Sequence, residues 1–183
     1  MPHIVIIAGA PSVSSRLTGL TSYSAEVLER AGLSVEVIQV SALPAEDLVY
    51  ANFNSTAVKQ ALASVQATDA VIVATPVYKA AYSGVLKLFL DLIPQEGLRG
   101  KPVLPLVIGG SIAHLLAIDY ALKPVLSALG ARHLLGGVYA VDQGITRLEQ
   151  GGFSLSAEIN ERLERSLQEL TETLYSNQPA TSS

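Results

Sequence analysis

No cysteine occurs in the 183 residues, which excludes disulfides, thiol nucleophiles and cysteine-ligated metals. Charge is sparse as well. Asp, Glu, Lys and Arg make up only 15% of the chain, the net charge is -4, and no basic stripe runs along any segment, so no nucleic-acid ligand is expected. The longest apolar runs reach roughly nine residues, short of the ~20 that span a bilayer, so no membrane segment is expected either. No basic stretch with a cleavage site precedes the first apolar run, and the expectation is a cytoplasmic chain without a secretory signal. His3, His114 and His133 show no ligand spacing, and no metal site is expected. What is abundant is apolar: 49% of residues, with a mean hydropathy of +0.39. At this length, that predicts one domain whose sheet is covered on both faces, with further surface buried in a homo-oligomer.

The apolar pattern alternates between periods of two and of 3.6. Strands are predicted at His3 to Ala8, Ser34 to Val40, Ala70 to Ala74, Val103 to Ile108 and Leu134 to Val141. Helices are predicted at Ser15 to Ala31, Thr56 to Ala67, Val85 to Ile93, Ala113 to Leu129 and Ala157 to Tyr175, the last capped by Ser156. Residues around Leu43 to Asp47 and Asp142 to Phe153 read as loops. Pro105 is anomalous inside its strand, since it cannot donate a ladder bond; a bulge or a solvent-facing gap would accommodate it. Residues 1–176 form a single domain, and the polar tail 177–183 is expected to be disordered.

Five βα units in series imply an α/β fold with a doubly wound, five-stranded parallel sheet. The expected strand order is the flavodoxin-like 2-1-3-4-5, with the ligand at the switch point between the first and third strands. A dinucleotide-binding fingerprint would need Gly-x-Gly-x-x-Gly after the first strand. Gly9-Ala-Pro-Ser-Val-Ser-Ser-Arg16 carries one glycine and fails that test. A phosphoacceptor receiver domain would need acids after the first strand and an Asp ending the third. Gly-Ala-Pro and Thr-Pro-Val stand there instead.

Three loops at the carboxyl ends of strands carry the candidate site. In the first, Ser14, Ser15 and Arg16 open a helix and either cradle one phosphate or cap the helix. No Gly-Lys-Ser/Thr marks a nucleotide P-loop. In the second, Pro76, Val77, Tyr78 and Lys79 either edge a flat heterocycle, with Gly84 allowing close approach, or leave Tyr78 and Tyr82 as half-buried anchors beside a solvated lysine. In the third, Gly109, Gly110 and Ser111 let a ligand or an incoming nicotinamide approach the backbone. His114 reads as a surface residue, and Asp119 with Lys123 as an i,i+4 ion pair. No acid/base constellation emerges, so no catalytic side chain is assigned. Such loops point to a cofactor that carries the chemistry itself.

The stretches Ala74-Thr-Pro-Val-Tyr-Lys-Ala-Ala-Tyr-Ser-Gly-Val-Leu-Lys87 and Gly109-Gly-Ser-Ile-Ala-His-Leu-Leu-Ala-Ile-Asp-Tyr-Ala-Leu-Lys-Pro-Val-Leu-Ser-Ala-Leu129 closely resemble the NADPH-dependent FMN reductases of two-component alkanesulfonate monooxygenase systems. The similarity runs from the first strand to about Val141. It implies an oxidoreductase that oxidises a nicotinamide cofactor, NADPH or NADH, reduces FMN, and hands reduced flavin to a flavin-dependent monooxygenase that desulfonates organosulfonates for sulfur supply. It also implies a π-bulge at Tyr120, set against a partner subunit of a dimer or tetramer. One departure stands out. The phosphate loop of that group reads Gly-Ser-x-Arg, whereas Ala10 and Ser12 occupy those Ser and Arg positions here. Two other readings use the same flavin seat: a reductase with tightly held FMN acting on quinones, azo dyes or metal oxyanions, and a flavodoxin-type electron carrier. A strongly acidic docking surface would mark the carrier, and -4 over the whole chain gives little of that.

Overall fold

The computed structural model describes residues 1–176; the tail expected to be disordered lies outside the described residues. In chain order the elements are β1 (His3–Ala8), α1 (Leu17–Arg30), β2 (Ser34–Gln39), α2 (Ala45–Val49), α3 (Thr56–Ala67), β3 (Ala70–Tyr78), β4 (Ala81–Tyr82), α4 (Gly84–Leu90), β5 (Pro102–Gly109), α5 (Lys123–Ala128), β6 (His133–Leu134), β7 (Val138–Val141), β8 (Ile145–Arg147), β9 (Phe153–Leu155) and α6 (Ala157–Ser176).

The main sheet runs β2-β1-β3-β5 in parallel, and its fifth position is shared by β6 and β7, both paired to β5. This is the expected 2-1-3-4-5 order with the last strand cut in two. Ile4, Val5, Ile6, Ile7, Val71, Ile72 and Val73 are all fully buried, because helices cover both faces of the strands that carry them. On one face Ile4, Ile6 and Ile72 pack against Leu17, Leu20 and Leu28 of α1 and Leu163, Leu167 and Leu170 of α6. On the other, Val5, Ile7, Val71 and Val73 meet Val58 and Val65 of α3, Leu86 and Phe89 of α4, and Leu126 of α5. Serine hydroxyls cap three helices: Ser55 takes the amide of Val58, Ser83 that of Leu86, and Ser156 that of Ile159.

The break in the fifth strand explains Pro105. The Val103 carbonyl accepts from Leu135, so odd-numbered residues of β5 turn their polar groups toward the β6/β7 side. Opposite Pro105 the neighbour is interrupted: β6 ends at Leu134, β7 starts at Val138, and Gly137 crosses between them at φ 88°. A methyl on Gly137 would stand 2.9 Å from the Pro105 carbonyl oxygen. The missing donor therefore faces a gap that asks for none.

Three other regions differ from expectation. A short helix, α2, occupies residues expected to be loop; Pro44 precedes it and Glu46 and Asp47 sit in its first turn, but five residues are too few to show a period. The helix expected over Ala113 to Leu129 is three pieces: a 3-10 turn (Ile112–His114), a π turn (Ile118–Leu122) and α5. Pro124 supplies the local reason, since it has no N–H for the Tyr120 carbonyl and its ring crowds that carbonyl. The Gly- and Gln-rich loop contains the β8–β9 hairpin, Ile145 pairing with Leu155 and Arg147 with Phe153. No described helix is long and apolar enough to cross a membrane.

Candidate functional site

The three loops meet at the carboxyl edge of the sheet in a cleft of about 400 Å³ that opens to solvent. Ser14, Ser15 and Arg16 line it from the first loop, Pro76, Val77 and Tyr78 from the end of β3, and Gly109 and Gly110 from the end of β5. Buried Ser83 holds the first two loops together. Its hydroxyl donates to the Gly9 carbonyl and accepts from Leu86, while its amide donates to Thr75 Oγ1 at 2.9 Å. Gly9 donates in turn to the Ala74 carbonyl at 2.8 Å, and a methyl on Gly9 would stand 2.5 Å from Leu86 Cβ.

Tyr139, fully buried on β7, fixes the third loop by donating its hydroxyl to the Ser111 carbonyl at 2.6 Å. A methyl on Gly109 would lie 2.0 Å from that hydroxyl, so only glycine fits there. Burial first, and the Asp142 carboxylate second, hold the Tyr139 phenol above its ordinary pKa. Like any tyrosine it donates its proton at neutral pH, and the shift extends that to more alkaline pH.

Ser14 and Ser15 divide the roles left open by the sequence. Ser15 Oγ accepts from Leu17 at 3.2 Å and so helps to cap α1. Ser14 caps nothing; its hydroxyl pairs with that of Ser12 at 2.8 Å beside the cleft. Tyr78 is half exposed at the rim and Tyr82 half buried.

Two expected site residues do not line the cleft. Lys79 and Ala80 are the central pair of the β3–β4 hairpin, both at positive φ (50° and 65°), a geometry that suits strand twist and leaves Lys79 exposed. Ser111 uses its hydroxyl to take the Ala113 amide at 3.4 Å, and only its carbonyl serves the loop. Gly84 lies off the cleft, and a methyl there would meet open space, so close approach is not its reason. His114 is exposed on the 3-10 turn, and Asp119 pairs with Lys123 at 2.7 Å.

Ser12, Asp142 and Arg147, none of them assigned from the sequence, also line the cleft. Asp142 directly follows β7, and the carboxyl end of a strand was a usable signal. Arg147 comes from the β8–β9 hairpin and had none. A larger cavity, about 720 Å³, lies beyond Ser14 and Arg147, between α1 and the hairpin. Glu26 and Glu149 in its wall disfavour an anionic ligand, and the strand ends do not reach it.

Comparison with known proteins identifies this architecture. The NADPH-dependent FMN reductase family matches residues 2–146. The chain belongs to that family. It is 52% identical over 145 residues to the FMN reductase (NADPH) of Escherichia coli K12, covering 78% of this chain and 75% of that one. With the FMN reductase (NADPH) of Pseudomonas putida KT2440 it shares 45% over 172 residues, 94% of this chain and 86% of the other. Among solved structures, the apo form of the NADH:FMN oxidoreductase EmoB superposes with a TM-score of 0.87 at 36% identity, covering 99% and 94% of the two chains. The protein is thus an oxidoreductase with a flavodoxin-like fold.

The cleft suits the flavin of an NADPH-dependent FMN reductase. Ser12, Ser14, Ser15, Arg16 and Arg147 line the cleft together, with Ser12 and Arg147 both hydrogen-bonded to Ser14, and they make a donor set for a phosphate ester. Pro76, Val77 and Tyr78 line the cleft with apolar and aromatic surface, and a methyl built on Gly110 meets no atom within 4 Å. The lining contains one carboxylate, Asp142, and no histidine, so it offers no paired acid and base.

Proposed function

We propose that this FMN reductase uses FMN as a substrate and passes the reduced flavin, in the cytoplasm, to a separate flavin-dependent monooxygenase that desulfonates organosulfonates. The observation that carries this reading is the open cleft, with serine hydroxyls and two guanidinium groups in its lining and Tyr78 half exposed. A flavin seated there can leave after reduction.

Bound FMN would supply the chemistry, as the acceptor of a hydride from the nicotinamide. The chain contributes position. Ser14, Ser15 and Arg16 would hold the phosphate, Pro76 to Tyr78 would edge the ring, and Gly110, where a methyl meets open space, would leave room above the backbone for a second ring. Ser83 and Tyr139 keep the three loops at fixed separation. Holding two rings in contact removes much of the entropic barrier to a bimolecular transfer, and no side chain has to move a proton.

A homo-oligomer, dimer or tetramer, belongs to the same proposal. The π turn presents Tyr120 at 80% exposure, beside exposed Leu115 and Leu116. Such an apolar group suits a second copy better than water.

The test is reconstitution. Protein, NADPH and FMN are mixed with a purified flavin-dependent alkanesulfonate monooxygenase and octanesulfonate, and sulfite is measured. Sulfite release that needs this protein and catalytic FMN is the expected result. NADPH oxidation without sulfite would remove the monooxygenase from the proposal and leave the reductase.

A further inference from the structure

The phosphate loop is short of positive charge. From Gly9 to Arg16 its only charged residue is Arg16, and Arg16 commits its Nε to the Ile145 carbonyl at 3.0 Å. A second guanidinium reaches the same place from elsewhere in the chain. Arg147, on β8, donates from Nη2 to the Ser14 carbonyl and lines the cleft together with Ser12, Ser14, Ser15 and Arg16. Its guanidinium carbon sits 5.3 Å from the centre of the Phe153 ring, its cross-strand partner in the hairpin.

These contacts orient Arg147 without exhausting it. A guanidinium has five N–H donors, and one bond to Ser14 leaves most of the fork free. Charge balance makes the residue decisive. Two guanidinium groups against the Asp142 carboxylate leave the cleft with one net positive charge; without Arg147 the balance is zero. An arginine fork, held in place by a carbonyl and a ring, matches the geometry of a phosphate. Arg147 also falls one residue beyond the segment matched by the family, which ends at residue 146.

We propose that Arg147, carried on the β8–β9 hairpin, is the phosphate-reading residue that makes this chain prefer FMN over riboflavin. The proposal rests on the FMN reading of the cleft. The competing role is structural: a latch from hairpin to loop that any donor could supply.

Quenching of flavin fluorescence, titrated with FMN and separately with riboflavin, reads the two affinities without turnover. Wild type is expected to bind FMN well ahead of riboflavin. Arg147→Gln keeps a donor for Ser14 and drops the charge; Arg147→Met drops both. Each is expected to weaken FMN by about tenfold, the order of one charge-assisted hydrogen bond at an exposed site, and to leave riboflavin within about twofold. Ser12→Arg, added to Arg147→Gln, returns a cation to the same cleft and is expected to restore the preference for FMN. If Arg147→Gln binds both flavins as wild type does, or loses both equally, the phosphate-reading role is overturned while the FMN cleft stands. If wild type binds neither flavin, the FMN reading falls and takes this proposal with it.

Discussion

At the scale of single residues, the site depends on a few buried groups that do not line the cleft themselves. Tyr139 is the clearest. Its hydroxyl holds the Ser111 carbonyl, and its ring leaves space for nothing larger than Gly109. Tyr139→Phe removes one buried hydrogen bond and is expected to cost about 1 kcal/mol in denaturant unfolding. The looser third loop should raise the apparent KM for NADPH by roughly three- to tenfold, with kcat within about twofold, since the interaction removed serves binding. The phenol also links stability to pH. In the unfolded chain a tyrosine ionises at its ordinary value of 10.0, while burial keeps the folded phenol protonated to higher pH. Its contribution is therefore complete below about pH 10 and lost as pH rises through the folded pKa. Denaturant curves of wild type and Tyr139→Phe should converge above that pH; curves that stay parallel to pH 11 would show that the phenol is not held in its neutral form.

At the scale of elements, legibility followed burial. The strands β1, β3 and β5 read clearly because residues buried on both faces leave continuous apolar runs, and α6 because Ile159, Leu163, Leu167, Leu170 and Leu174 repeat on one face. What escaped was short or paired at a distance. Three-residue strands such as β8 and β9 have no period, and the contact of Arg147 with Ser14 spans 133 positions. Lys79 was misplaced because two successive residues at positive φ are unexpected without glycine. The π turn at Tyr120 was expected from resemblance alone; the fold adds Pro124 as a local cause. Deleting Tyr120 shortens this segment by one residue and removes the exposed ring. Sedimentation velocity should then show a smaller assembly than wild type, with the far-ultraviolet spectrum preserved. An unchanged sedimentation coefficient would place any subunit contact elsewhere.

At the scale of the whole molecule, the sheet explains why one cleft is enough. The switch point between β1 and β3 opens a crevice, and β5 supplies the third wall from the next strand over. Apolar layers on both faces make that edge a rigid platform, so loops with little secondary structure can still hold ligands in register. Family membership and the cleft agree on the central claim: this protein is an NADPH-dependent FMN reductase. The most direct measurement follows NADPH absorbance aerobically while FMN is titrated from zero into purified, flavin-free protein. Saturable turnover that is absent without FMN and rises with its concentration is the predicted result. No oxidation of NADPH at any FMN concentration, by protein whose circular dichroism shows it folded, would contradict the account.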